Sequence, residues 1–169
     1  VDVKFVPKVC HVGEAEGKQF YQYTAIDEYS RFRYVEAFEE HSTYSSTVFL
    51  THMLRFFKFR VECVQTDNGS EFTNRFTSEK GKPTLFERYL VRYGIRHKLI
   101  KPYTPRHNGK VERSHRKDNE YFYASHKFYS LKDFAVQLAL HNRRYNNFPM
   151  RPLGWKSPRE VMTAALCSM

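Results

Sequence analysis

At 169 residues, 41% hydrophobic and 17% aromatic, the chain is long enough to bury one core and too apolar to be disordered. Its 28 Lys and Arg outweigh 18 Asp and Glu, and a net charge of +10 points to a polyanionic partner, nucleic acid first. No run approaches the roughly 18 apolar residues of a membrane-spanning helix, and the opening Val1-Asp2-Val3-Lys4 is not a signal peptide. Cys10, Cys63 and Cys167 are too widely spaced for a zinc knuckle and odd in number for a disulfide framework.

Val1 to Val6 alternates apolar and polar residues as a half-buried strand does. Two more β-rich runs, 19–26 and 31–38, are joined by the turn Asp27-Glu28-Tyr29-Ser30, which predicts a three-stranded antiparallel meander. Helical spacing of Tyr44, Val48, Phe49, Met53, Phe56 and Phe57 predicts a helix over 43–59, capped by Ser42 or Thr43. A strand at 61–65 then ends in Thr66-Asp67-Asn68-Gly69, and this strand-helix-strand unit implies parallel pairing within a mixed sheet.

Residues 73–83 are polar and broken by Gly81 and Pro83, so they read as a loop. A helix follows at about 84–93, closed by Gly94, and then a last short strand at 95–100. Pro102, Pro105 and Gly109 make 101–109 a loop in front of a helix expected at about 110–124. A further helix at 131–144 starts at Ser130, and Ser157-Pro158-Arg159-Glu160 announces a short one in the tail, where Trp155 is the expected anchor on the core.

Phosphoryl transfer between oxygens uses two divalent cations roughly 3.5–4 Å apart, held by hard carboxylate oxygens on converging rigid elements. Asp2 in the first strand, Asp67 just past the fourth and Glu112 on the helix after the Pro-rich loop are placed for this. Each has a plainer role open to it: a solvated terminus for Asp2, turn chemistry for Asp67, a helix-surface acid for Glu112. Asp27 is the rival for the first carboxylate. Glu71 either approaches DNA, supports Asp67 or is a solvated loop acid. His97 and His107 form no zinc pattern.

At Val1-Asp2-Val3-Lys4, Thr66-Asp67-Asn68-Gly69-Ser70-Glu71-Phe72, and Pro102-Tyr103-Thr104-Pro105 leading into Asn108-Gly109-Lys110-Val111-Glu112-Arg113, the sequence resembles the integrase-core family of bacterial insertion-sequence transposases, relatives of retroviral integrases. Residues 25–31, Tyr145-Asn146, Arg151-Pro152 and Ser157-Pro158 add weaker matches, so the resemblance covers nearly the whole chain. It implies an α/β, RNase H-like fold with a five-stranded mixed sheet flanked by helices. It also implies that Asp2, Asp67 and Glu112 are catalytic metal ligands, binding Mg2+ (with Mn2+ as substitute), as two ions. The 44 residues between Asp67 and Glu112 exceed the family's usual gap, and the excess falls at 77–83, where a surface insertion costs little loop entropy.

The resemblance further implies a DDE transposase or integrase that cleaves DNA strands and joins them, acting on element ends and target DNA in the cytoplasm, nucleoid-associated in a bacterium. Lys110, Arg113, Arg116 and Lys117 share Glu112's helix and are candidate DNA contacts, with Asn108 and Tyr103 in the preceding loop. A homodimer or higher assembly is expected, with the 43–59 and 131–144 helices as candidate faces and no membrane partner. Residues 1–148 read as the catalytic core, and 149–169 as a tail whose short helix packs on it. Two alternatives keep the same residues: an RNase H-like nuclease limited to hydrolysis, and an inactive DNA-binding or assembly domain of a mobile element.

Overall fold

The computed structural model describes residues 1–100 and 109–168. Strands β1 (Asp2–Phe5), β2 (Tyr21–Ile26) and β3 (Arg33–Phe38) form the expected antiparallel meander, with Asp2 opposite Thr24 and Thr24 opposite Val35. The β2–β3 turn is built by Asp27, whose Oδ2 accepts from the Ser30 amide (2.7 Å) and hydroxyl (2.6 Å). That is the local Asp chemistry of a tight turn.

Helix α1 (Thr43–Phe56) starts at Ser42, whose side chain accepts from the Ser45 amide, and ends three residues before the expected limit. Strand β4 (Cys63–Thr66), helix α2 (Leu85–Arg92) and strand β5 (Arg96–Leu99) follow. Thr84 and Glu87 form a reciprocal capping box on α2, and Gly94 takes the left-handed φ of 65° that ends such a helix. β4 and β5 pair in parallel, from Cys63 opposite Arg96 to Thr66 opposite Leu99.

The expected single five-stranded sheet is replaced by a three-stranded sheet, β1-β2-β3, and a two-stranded one, β4-β5. β1 and β4 meet at a bond from the Val1 amino nitrogen to the Gln65 carbonyl (2.6 Å), not along a ladder. Both strands are only four residues long, β1 pairing with β2 and β4 with β5. Neither sheet is mixed: β1-β2-β3 is antiparallel throughout and β4-β5 is parallel.

Helix α3 (Gly109–Asp118) was expected to run on to 124, but Asn119–Tyr123 widens into a π-helical turn. Phe122 and Tyr123 are adjacent in sequence and both buried in that turn. Helix α4 (Leu131–Asn147) is capped by Ser130, and helix α5 (Pro158–Cys167) by a Ser157–Glu160 capping box. Among the described residues no helix is long and apolar enough to cross a membrane.

Alternation along the meander makes two cores. Tyr23 and Ala25 of β2 face one side with Phe49, Leu50 and Met53 of α1, and with Phe86 and Leu90 of α2. Val35 of β3 faces the other with Phe20, Phe122, Phe134 and Leu138. Two α1 aromatics pack against the sheet, Tyr34 stacking on Phe49 and Phe32 on Phe56, whereas Tyr44 at the start of the helix is exposed. Trp155 is not the tail's anchor. It is 70% exposed and follows Gly154 through two left-handed residues, while Met162 packs on the first core and Arg159 lies over the Phe32 ring.

Candidate active site

Asp2 lies in β1 with Lys4 on the sheet face that meets α3. Its carboxyl is 17% exposed, and His115 Nδ1 stands 3.4 Å from Oδ2. Asp67 follows β4 in a turn that its own side chain closes, Oδ1 accepting from the Gly69 amide (3.0 Å). The Phe72 and Thr73 amides both donate to the Gly69 carbonyl, and Asn68 donates to the Ile100 carbonyl, tying the turn to the end of β5. Glu112 sits in the first turn of α3 and is exposed, because Val111 and Ser114 take the inward positions beside it.

These three carboxylates come from separate elements and interact electrostatically. Burial first, then the Asp67 charge, push Asp2 up to about 6, opposed by the Val1 amino group, with a smaller push from Glu112. No three His, Cys, Asp or Glu side chains among the described residues converge closely enough to form a ready cation cage. The donor chemistry nevertheless fits a hard divalent cation: all three groups are carboxylates, and Asp2 carries a like-charge load that a cation relieves.

Of the expected DNA contacts, Arg113, Arg116 and Lys117 are exposed on α3, with Lys117 over the Tyr121 ring. Lys110 is engaged elsewhere, donating to Glu28 Oε1 (2.6 Å) and to the Glu28 carbonyl (2.8 Å). Tyr103 and Asn108 lie outside the described residues. Asp27, the rival first carboxylate, is occupied in its turn.

Glu71 is not a solvated loop acid. It is 5% exposed, its Oε1 is 2.8 Å from His41 Nε2, and its Oε2 has no hydrogen-bond partner among the described residues. The carboxylate curls under Gly69, where a Cβ would lie 2.3 Å from Oε2. Glycine at 69 thus lets the Asp67 loop fold over a buried acid.

The residues that the sequence reading passed over lie behind α3. Arg33 is fully buried, and its Nη1 reaches Asp118 Oδ1 (2.8 Å), Asp118 Oδ2 (3.0 Å) and Ser114 Oγ (2.6 Å). Nε donates to Asn142 Oδ1 (2.9 Å), and the guanidinium lies 4.0 Å over the Tyr145 ring. Asn142 and Asn146, one turn apart on α4, also satisfy the Arg33 backbone at the free edge of β3. Burial would raise Asp118, but Arg33, followed by bonds from His141 and Gln22, holds its carboxyl well below the usual range. The available signal was periodicity: Val111, Ser114 and Asp118 share one helical face, so an acid stood at a core position and needed a buried cation.

Residues 5–105 match the integrase core domain, and residues 93–158 match a second family of the same description. The first match spans more than half of the chain, and the protein therefore belongs to the integrase core domain family, of the retroviral-integrase-like type. Asp67 falls in the first span and Glu112 in the second; Asp2 precedes both. The chain is 30% identical over 112 residues to a putative integrase of Spiroplasma virus SpV1-C74, covering 62% of this chain and 31% of the relative. It is 34% identical over 108 residues to a retrovirus-related Pol polyprotein from a Nicotiana tabacum transposon, covering 62% and 7%. It thus spans about a third or less of these relatives.

Among solved structures, the catalytic core domain of BIV integrase superposes with a TM-score of 0.63 at 16% identity, covering 99% of this chain and 95% of that one. A chain of the simian T-cell lymphotropic virus intasome, solved with a PP2A regulatory subunit, superposes at 0.68 and 17% identity, covering 95% and 52%. At such identities the likeness defines the fold, which is that of integrase catalytic cores, RNase H-like.

Proposed function

We propose that the protein is the catalytic core of a DDE transposase or integrase that cuts DNA strands and joins them in a divalent-metal-dependent reaction. The observation that carries this reading is the burial of Asp2 in β1 against the charge of Asp67 in the turn after β4 and of Glu112 on α3. Asp2, Asp67 and Glu112 would hold Mg2+, or Mn2+ in its place, as two ions. Bound there, such ions supply Lewis acidity and charge neutralisation at the transferring phosphoryl group.

The chain's own residues do the rest. The Gly69 amide and the Asn68–Ile100 bond fix the Asp67 turn, and the inward face of α3 keeps Glu112 turned outward. Arg113, Arg116 and Lys117 present a cationic rim beside Glu112 for the substrate's phosphates, with Tyr103 and Asn108 as further contacts from the preceding loop. The substrates are element ends and target DNA, which places the protein with the nucleoid in a bacterial host.

Assembly as a homodimer is part of the reading. Of its two candidate helices, α4 exposes Val136 and Leu140, while α1 exposes Tyr44 and points Phe49 into the core. The division into a core of 1–148 and a tail of 149–169 belongs to the same reading. A labelled DNA end incubated with the protein and Mn2+ tests it: joined products are expected, lost in Asp67→Asn and Glu112→Gln. Hydrolysis without joining would favour a plain RNase H-like nuclease, and neither product an inactive DNA-binding domain.

A further inference from the structure

Between the sheet and α3 a line of polar side chains runs from the buried Arg33–Asp118 pair to Asp2, and the direction of each of its hydrogen bonds can be worked out. Asp118 is ionised against Arg33 and has no proton to give. Its contact with Gln22 (2.9 Å from Oδ2) is therefore made by the Gln22 amide NH2, which leaves the Gln22 carbonyl oxygen to accept from the Tyr123 hydroxyl. The second Gln22 amide hydrogen goes to Thr24 Oγ1 at 3.0 Å.

Thr24 is fully buried, and its other side-chain neighbour is His115 Nε2 at 3.1 Å. Were Nε2 also a donor, the Thr24 hydroxyl proton would be buried without an acceptor, which folded proteins avoid. The hydroxyl instead donates to Nε2. A neutral imidazole accepting there carries its proton on Nδ1, the nitrogen 3.4 Å from Asp2 Oδ2. That separation is long for a good hydrogen bond, yet short enough for the N–H dipole to bias where the carboxylate points.

We infer that His115 is a positioning residue for Asp2, held as the Nδ1–H tautomer by this relay so that its N–H is aimed at the carboxylate. The inference rests on the proposed role of Asp2 as a metal-binding carboxylate. His115 lies three residues beyond Glu112, so α3 carries one carboxylate and orients another. Side chains that orient ligands in this way are a recurrent part of metal sites.

Two measurements on the whole chain test this. The first reads the His115 tautomer by two-bond 1H–15N correlation in metal-free protein. Wild type should show Nδ1–H, and so should Asp2→Ala, where the carboxylate is gone and the relay alone acts. In Asp2→Ala combined with Thr24→Val, the Nε2–H form preferred by free imidazole should return. An Nε2–H signal in wild type or in Asp2→Ala overturns the relay.

The second titrates Mn2+ by electron paramagnetic resonance. His115→Asn places an amide nitrogen where Nδ1 was and should stay close to wild type, whereas His115→Gln places its amide at the Nε2 position and should bind about tenfold more weakly. Equal affinity in the two variants overturns the positioning role. If wild type itself binds no Mn2+, the metal reading of the site fails, and the tautomer measurement alone decides the relay.

Discussion

Helix α3 separates two groups of carboxylates that the fold treats in opposite ways. On its inner face Asp118 is fully compensated: Arg33, His141 and Gln22 all bond to it, and its affinity for protons is depressed. Toward the edge where β1, the Asp67 turn and the start of α3 meet, Asp2 faces other acids, and its affinity for protons is raised. One group needs nothing more to be stable. The other is left short of positive charge, which in a nucleic-acid enzyme is what a divalent cation provides.

The largest effect that would break this contrast lies on the compensated side. Arg33→Met or Asp118→Leu alone strands a buried charge and should cost about 3–5 kcal/mol in denaturant unfolding, while the two together should recover most of it. Asp67→Asn, which keeps the oxygen accepting from Gly69, and Glu112→Gln on an exposed turn should each stay within about 0.5 kcal/mol of wild type. Comparable losses on both sides would remove the distinction.

pH separates the two groups next. The folded value of Asp118 is depressed, so its stabilisation is complete above the unfolded value near 4 and is lost only as pH falls toward the folded one. Asp2 is raised to about 6, so its contribution is present below about 4 and disappears as pH rises through 6. Asp2 by itself therefore costs on the order of 2–3 kcal/mol between pH 4 and 6, a loss that His115, lowered by burial to about 4, offsets over the same window, so Asp2→Asn should gain stability relative to metal-free wild type as pH rises. A difference between wild type and Asp2→Asn that does not change with pH would count against the crowding of Asp2.

A smaller effect is expected at Gly69→Ala. The added methyl collides with the Glu71 carboxylate, which is buried and bonded to His41, so about 1 kcal/mol should be lost along with the shape of the Asp67 turn. The smallest concerns DNA binding. Lys110 is already paired with Glu28, so Lys110→Ala should change the salt dependence of binding less than Arg116→Ala, which should lower the slope by about one unit.

The meander and the helix starts at Ser42, Ser130 and Ser157 were legible because each follows from local chemistry or short-range periodicity. The two-sheet arrangement was not, since it depends on how β1 and β4 meet across 64 positions of sequence. The acids Asp67 and Glu112 were legible as a motif, but Arg33, Gln22 and His115 were not. A charged or amide residue inside a strand pattern looks like a solvated face until the partner that buries it is known. The π turn after Asp118 likewise leaves no mark in the helical periodicity, which continues through Phe122.

Calorimetric titration of Mn2+ into the wild-type protein, Asp2→Asn, Asp67→Asn and Glu112→Gln tests the central claim most directly, because it needs no DNA substrate and no knowledge of the element's ends. Saturable binding in wild type, weakened at least tenfold in each variant without loss of thermal stability, is the expected result. Wild-type binding that survives unchanged in all three variants would contradict it.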